Sequence, residues 1–386
     1  MVKPFQPDFP NVKLNGIDVV EKPTNTWPSW LPLRKDLINL SAYGAPQRDV
    51  PVKLNTNENP YSVPNDVAND ISRHLASVIK DLNRYPDRDA VKLRDGLAKY
   101  INGQSGTQFD RTNIWAANGS NEILQSIFMA FGGTSLGFVP SYSVHPLIAN
   151  ALGIAWREGK RAEDFSLDIS LAVETISTVK PTLTFITTPN NPTGSHVPRA
   201  DIKTIADVVK SVNGLLIIDE AYAEFSDEES AVTLIPENPH IIVVRTMSKA
   251  FAFAGARVGY AVADPAVINA MYLVRLPYHL SALTQAAAQV ALAHSRELLA
   301  HVDQIRKDRL TVAQGIRELG LTVVPSQANF LLFSGFTQPA AHLWDELTSH
   351  GVLIRDVGLP GYLRVTIGTS DENQRFIDAL KISLRN

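Results

Sequence analysis

Between Arg245 and Arg257 the chain gathers a lysine, two hydroxyls and an arginine in the segment Arg245-Thr-Met-Ser-Lys249-Ala-Phe-Ala-Phe-Ala-Gly255-Ala-Arg257. The segment follows the apolar run Ile241-Ile-Val-Val244, which reads as a buried parallel strand. Open α/β sheets bind their ligands at the carboxyl ends of such strands. Lys249 could form an imine with an aldehyde, while Thr246, Ser248 and Arg257 could hold a phosphate dianion. These residue types together fit an aldehyde that bears a phosphate. A lysine beside a strand is more often an ordinary surface residue, so the reading depends on what the other strand ends carry.

A second apolar run, Leu215-Leu-Ile-Ile218, leads directly into Asp219-Glu-Ala-Tyr222. Alone, Asp219 could equally be a helix cap. Beside Lys249, a buried carboxylate can pair with a pyridinium nitrogen and keep it protonated, which makes pyridoxal phosphate an electron sink. Tyr222 would then donate to that cofactor's phenolic oxygen. The stretch Thr188-Pro-Asn-Asn-Pro-Thr-Gly194 follows a third strand, and its prolines restrict the backbone. Asn191 there is a candidate second donor to the same oxygen. In Ala117-Asn-Gly-Ser-Asn-Glu122, a turn opens a helix, and the backbone N–H groups of Gly119, Ser120 and Asn121 could point at an anion. Tyr142 follows the next strand and is either a ring that stacks on a planar cofactor or a core tyrosine.

The elements that must position these groups are legible as an alternation. From Ile114 to Ala263 short apolar runs alternate with helical patterns, the signature of a parallel sheet covered on both faces. The predicted strands are Ile114–Ala117, Leu136–Val139, Leu183–Thr187, Leu215–Asp219, Ile241–Arg245 and Val258–Val262. A helix over Asn121–Phe131 places Ile123, Leu124, Ile127, Phe128 and Phe131 on one face. After Pro277 the pattern changes. Val302, Ile305, Val312, Ile316 and Leu319 recur at helical spacing before Gly320, strands are predicted at Asn329–Phe333 and Tyr362–Ile367, and Thr369 to Glu372 reads as the capping box of a last helix. This predicts a smaller α+β domain.

Length and composition agree with a two-domain enzyme. The 386 residues exceed what one core usually supports, and 45% hydrophobic with 19% charged residues suits a globular chain. A net charge of −3 gives no electrostatic case for nucleic acid or an anionic membrane. The absence of cysteine excludes disulfides, thiol catalysis and cysteine-type zinc sites, and no metal is expected. The proline-rich first thirty residues read as a flexible extension without a secretory signal, and a cytoplasmic location is expected.

In their order along the chain, Asn191, Asp219, Tyr222, Lys249 and Arg257 resemble the fold-type I pyridoxal-phosphate enzymes of the aminotransferase class. Within that class the chain is similar to histidinol-phosphate aminotransferases, which serve histidine biosynthesis. The resemblance rests on Leu54-Asn-Thr-Asn-Glu-Asn-Pro-Tyr61, Arg84-Tyr-Pro-Asp87, Asn118-Gly-Ser-Asn-Glu122, Arg245 to Phe251, Pro277-Tyr278 and Leu363-Arg-Val-Thr-Ile-Gly368. It implies an α/β large domain with a mostly parallel seven-stranded sheet covered by helices, plus the smaller α+β domain. The division it suggests is an extension over 1–30, an arm with part of the small domain over 31–75, the large cofactor-binding domain over 76–278, and the small domain over 279–386. It further implies a homodimer with shared sites, in which Tyr61 reaches the cofactor phosphate of the neighbouring subunit. Arg355 and Arg364 would hold the substrate's acidic tail, and Tyr43, Asn118 and Tyr278 would line the substrate pocket. The chain departs from the family pattern at Ala252, where a glycine is common, and over its first thirty residues.

The arginine pair also has a physical meaning. Histidinol phosphate carries a phosphate ester and no carboxylate, glutamate carries two carboxylates, and one site must accept both in alternate half-reactions. A guanidinium fork can engage either group bidentately, which lysine does less well. Without the resemblance Arg364 could equally be a rim salt bridge. The rival readings are an aromatic amino-acid aminotransferase, which shares nearly every residue quoted, and a phospho-amino-acid decarboxylase, which needs no amino acceptor.

Overall fold

Strands that are apolar without interruption can be buried on both faces only if helices cover both sides of their sheet. The computed structural model, which describes residues 27–38 and 44–385, has this arrangement. A short strand β1 (Val52–Lys53) comes first. The main sheet is built from β2 (Ile114–Ala117), β3 (Thr134–Val139), β4 (Ala155–Lys160), β5 (Leu183–Thr187), β6 (Leu215–Asp219), β7 (Ile241–Thr246) and β8 (Gly259–Val262), in the order β2-β8-β7-β6-β5-β3-β4. Successive residues of β6 face opposite ways. Leu216 and Ile218 join one core with Leu93, Leu97 and Ile101, whereas Ile217 joins Ile123, Leu124, Ile127 and Phe128 on the other side. Those last four lie on the helix Ser120–Phe131, as the helical spacing predicts.

Two features differ from a purely parallel reading. β8 runs antiparallel to both β2 and β7. The connection from β7 to β8 holds the lysine loop and only one short 3-10 helix, so it cannot make the crossover a parallel pair needs. β4 is an additional strand. Its sequence Ala-Trp-Arg-Glu-Gly-Lys lacks an apolar run because it is an edge strand, mostly exposed and paired only with β3.

The second sheet consists of β9 (Thr322–Val323), β10 (Phe330–Ser334), β12 (Arg355–Asp356) and β13 (Tyr362–Thr366), with β11 (Val352–Leu353) paired to β1 instead. The helices Val302–Glu318, Ala340–Ser349 and Ser370–Ser383 cover it, and Thr369 forms the expected capping box with Glu372. Leu54, Phe330, Phe333, Leu363, Val365, Phe376 and Leu380 share its core. The helices Asn65–Val78 and Ala282–Ala293 pack together instead on the main sheet's side, where Val67, Ala288 and Ala291 join the core. Residues 1–26, most of the expected extension, lie outside the described residues, as does Tyr43.

At the carboxyl end of the main sheet the chain leaves β3 outward to β4 and then returns to β5 on β3's other side. Ligands of open α/β sheets bind at such a reversal of strand order. Ser141, after β3, donates to Asn190 Oδ1 at 2.8 Å and shares a hydrogen bond with the Thr187 hydroxyl at 3.0 Å, bridging the two diverging turns.

Candidate active site

A cavity of about 470 Å³ opens above these strand ends and is closed from the other side by Asn55 to Glu58 and by Arg355 and Arg364 of the second sheet. Of the residues singled out from the sequence, it brings together Ser120, Asn121, Tyr142, Asn191, Asp219, Tyr222, Thr246, Ser248, Lys249, Arg257, Arg355 and Arg364.

Lys249 is largely withdrawn from water, and its ammonium donates to the Thr56 carbonyl at 2.9 Å. Burial, reinforced by the positive Arg364 and Arg257 and opposed by Glu58, lowers its pKa to about 8. The neutral, nucleophilic amine is therefore far more accessible near neutral pH than for an ordinary lysine, although the ammonium still predominates at pH 7. The Tyr222 hydroxyl accepts hydrogen bonds from Asn57 at 2.9 Å and from Asn191 at 3.5 Å. Asp219 is 2% exposed. Its Oδ1 accepts from the Ala221 N–H at 3.2 Å, a local turn, while Oδ2 meets His145 Nε2 at 3.0 Å. The local turn thus engages one carboxylate oxygen and His145 the other, while Asp219 itself lines the cavity.

At the opposite pole the helix Ser120–Phe131 begins after Gly119, whose φ of +85° L side chains rarely adopt. A Cβ at Gly119 would lie 2.5 Å from Arg257 Nη2, and one at Gly259 would lie 2.3 Å from the Ser120 nitrogen. Two glycines thereby let the guanidinium and the helix N-terminus converge. Thr246 and Ser248 are joined through their side-chain oxygens at 2.9 Å beside them, so N–H groups, hydroxyls and a cation share one anion-binding corner.

The second cationic pole comes from the small sheet. Arg364 donates to Asn191 Oδ1 at 2.5 Å and to the Asn55 carbonyl at 2.8 Å, which holds its guanidinium across the cavity. Arg355 sits opposite it in the β12–β13 register, and its Nη1 is buried without a hydrogen-bond partner. Arg364 is thus a buried cavity residue and not a rim salt bridge.

Four expected site residues do not line this cavity: Gly119, which acts through its backbone at the start of the helix, and Asn118, Tyr278 and Tyr61. Asn118 is occupied by Glu122 and by the His279 carbonyl, both at 2.7 Å. Tyr278 is stacked on Tyr85 at 4.4 Å, and Tyr61 is stacked on His301 at 4.0 Å. Conversely, the sequence reading passed over His145 and Asn57. His145 stands one helical turn after Tyr142, a spacing that marks a shared face. Asn57 lies inside the Leu54 to Tyr61 motif without an assigned role; its φ of +56° aims its amide at Tyr222, and its Oδ1 accepts from Thr366 at 3.0 Å. Ala252, the departure from the family glycine, has φ +54°. Its cost is therefore backbone strain of roughly 1–2 kcal/mol more than a clash in the cavity.

Comparison with known proteins gives a consistent result. Residues 49–380 match the family described as aminotransferase class I and II. The histidinol-phosphate aminotransferase of Mycobacterium sp. (strain KMS) is 53% identical over 353 residues, which span 90% of this chain and 93% of that protein. The enzyme of the same name from Nocardia farcinica is 53% identical over 351 residues, 90% of each chain. The crystal structure of histidinol-phosphate aminotransferase from Sinorhizobium meliloti in complex with pyridoxal-5'-phosphate shares the fold, with a TM-score of 0.78 at 24% identity over 88% of this chain and 92% of that one.

Proposed function

The chain belongs to the histidinol-phosphate aminotransferases of the class I and II aminotransferase family, and from that premise we propose how its residues divide the work. The enzyme transfers the amino group of L-histidinol phosphate to 2-oxoglutarate, giving imidazole-acetol phosphate and glutamate, with pyridoxal phosphate as cofactor. The observation that carries the residue assignment is the presence of two separate cationic poles in one cavity, with a buried lysine between them.

The residues fit the cofactor. Ser120, Asn121, Thr246, Ser248 and Arg257 hold its phosphate in the corner that Gly119 and Gly259 keep open. Asp219 would pair with the ring nitrogen, and Tyr222 with Asn191 would hold the phenolic oxygen. Tyr142 would stack on the ring. When bound, pyridoxal phosphate supplies an aldehyde carbon for the amine and an electron sink for the charge left when the substrate's carbon–hydrogen bond breaks. Lys249 would anchor the cofactor through that carbon, and its Nζ would serve as the general base that takes the substrate's proton and as the acid that returns it. Asp219, held by His145, would stabilise positive charge on the ring nitrogen. Arg364 and Arg355 clamp the phosphate ester in one half-reaction and a carboxylate in the other, and the unpartnered Nη1 of Arg355 is a donor ready for that ligand.

The aromatic aminotransferase reading is tested by substrate competition. With 2-oxoglutarate as acceptor, the kcat/KM for histidinol phosphate should exceed that for phenylalanine by at least about tenfold, because only the former offers a dianion to the second pole. Equal or reversed values would transfer the assignment to the aromatic enzymes.

The protein acts as a homodimer in the cytoplasm. Tyr61 lies away from its own chain's cavity, as a residue that serves a neighbouring site must. Leu273 and Leu276, with Tyr85 stacked on Tyr278, leave large apolar surface uncovered at one end of the main sheet's helices, which a second copy would bury. Mixing inactive Lys249→Ala chains with weakened Tyr61→Phe chains should rebuild one site with both native residues and recover part of the activity. Unchanged activity at every mixing ratio, with subunit exchange verified, would mean that each site is made by one chain. Among the described residues no helix is long and apolar enough to cross a membrane.

A further inference from the structure

Asp219 and Thr246 are each followed or preceded by a charged residue that the alternation of a strand turns to the opposite face. Ile217 and Val244 share a face of the sheet with the helix Ser120–Phe131, while Ile218 and Val243 face the other core. By the same alternation Asp219 and Thr246 point to the cofactor side, and Glu220 and Arg245 point to the reverse. There Arg245 Nε forms an ion pair with Glu220 Oε2 at 3.0 Å without hydrogen-bond alignment, and Nη1 donates to Glu224 Oε1 at 2.9 Å, all three side chains being buried. Glu220 is fully engaged, accepting also from the Ser230 hydroxyl and the Ala231 N–H, each at 2.7 Å.

These pairs sit where the backbone ladder stops. The last register pair between β6 and β7 is Asp219 with Val244, followed by a single bond from the Glu220 N–H to the Val244 carbonyl at 2.9 Å. Beyond it Arg245 and Thr246 are paired only to Tyr260 and Gly259 of β8. The side-chain ion pair therefore continues the β6–β7 connection past the last backbone bond, directly beneath the two site residues. We infer that Arg245, Glu220 and Glu224 form a buried clamp on the reverse face of the sheet that positions Asp219 for the cofactor ring and Thr246 for its phosphate. They are positioning residues, since none of them lines the cavity.

The remaining groups facing the clamp are Tyr100, whose hydroxyl reaches Glu224 Oε1 at 3.4 Å, and Tyr260, whose buried hydroxyl has no hydrogen-bond partner. Burial raises both phenols and Glu224 above their ordinary pKa values. Burial also works against the charge of Arg245, but Glu220 and Glu224 outweigh it. Buried ion pairs contribute little stability relative to well-packed apolar residues, so three buried charges under a site are better accounted for by the geometry they impose.

The inference rests on the roles given to Asp219 and Thr246, and the test separates the two. Holoenzymes carrying Glu220→Gln, Arg245→Lys or Asp219→Asn are compared with the native protein by the pH midpoint of the cofactor's visible absorption band and by the cofactor's dissociation constant. The clamp predicts that Glu220→Gln and Arg245→Lys shift the midpoint by about half a unit or more and weaken cofactor binding about tenfold, with kcat falling more than KM rises. A native midpoint and native affinity in these variants would overturn the clamp, even if their melting temperature fell. If Asp219→Asn moves the midpoint while the clamp variants do not, the clamp fails and the role of Asp219 stands. If none moves it, both fail. Should Arg245→Lys not yield folded protein, Glu220→Gln, which changes one oxygen to an amide nitrogen at nearly constant volume, decides the matter.

Discussion

Replacing Lys249 by alanine is expected to lower turnover by on the order of 10⁵-fold or more, because one side chain both anchors the cofactor aldehyde and carries the proton. Folding should survive, since the ammonium makes a single hydrogen bond, to the Thr56 carbonyl. The visible absorption of the bound cofactor should disappear. The buried amine also sets a pH signature: with a folded pKa of about 8, cofactor uptake by the cofactor-free native protein should accelerate as pH rises through that value. The linkage has a definite sign. The folded pKa lies below the ordinary lysine value, so the full penalty for burying the charge is present below pH 8 and is relieved as pH rises toward 10.5. Cofactor-free native protein should therefore gain stability over Lys249→Ala across that window. Normal turnover with a retained band in the alanine variant would remove Lys249 from the mechanism.

The second large effect is expected at Asp219. Asp219→Asn keeps the shape and can still meet His145, but a neutral amide cannot balance a positive ring nitrogen, so kcat should fall on the order of 10³-fold with cofactor still bound. Asp219→Glu should be milder, as it keeps the charge and disturbs only the distance. Steady-state rates and an absorbance titration of the two variants check this. Near-native activity in Asp219→Asn would return Asp219 to the local turn it makes with Ala221.

How much of this was legible in the sequence depended on whether a residue announced itself through local pattern. Uninterrupted apolar runs placed β2, β5 and β6 to the residue, because strands buried on both faces leave no polar position to blur their ends. The edge strand β4 carries Arg157, Glu158 and Lys160 toward solvent and has no such pattern. The strand-end groups Asp219, Lys249 and Arg257 were legible since an α/β sheet delivers its strand ends to one place. His145 and Asn57 act through contacts with residues 74 and 165 positions away, which no local pattern encodes. Asn118 and Tyr278 were carried over by resemblance, and within one chain both are engaged elsewhere.

The proposed guanidinium clamp would serve a phosphate ester in one half-reaction and a carboxylate in the other. Arg364 is held at the cavity by Asn191 and Asn55, and Arg355 adds a second charge. Arg364→Lys keeps the charge and loses the planar fork. Single-turnover kinetics of each half-reaction, with histidinol phosphate and with glutamate in separate experiments, measures the loss directly. Both substrates are expected to bind more weakly, by about 1.5 to 3 kcal/mol each, with the dianion somewhat less affected because it can draw on Arg355 as well. A variant in which only the glutamate half-reaction slowed, while histidinol phosphate reacted with native rate and affinity, would contradict it and place the phosphate ester elsewhere.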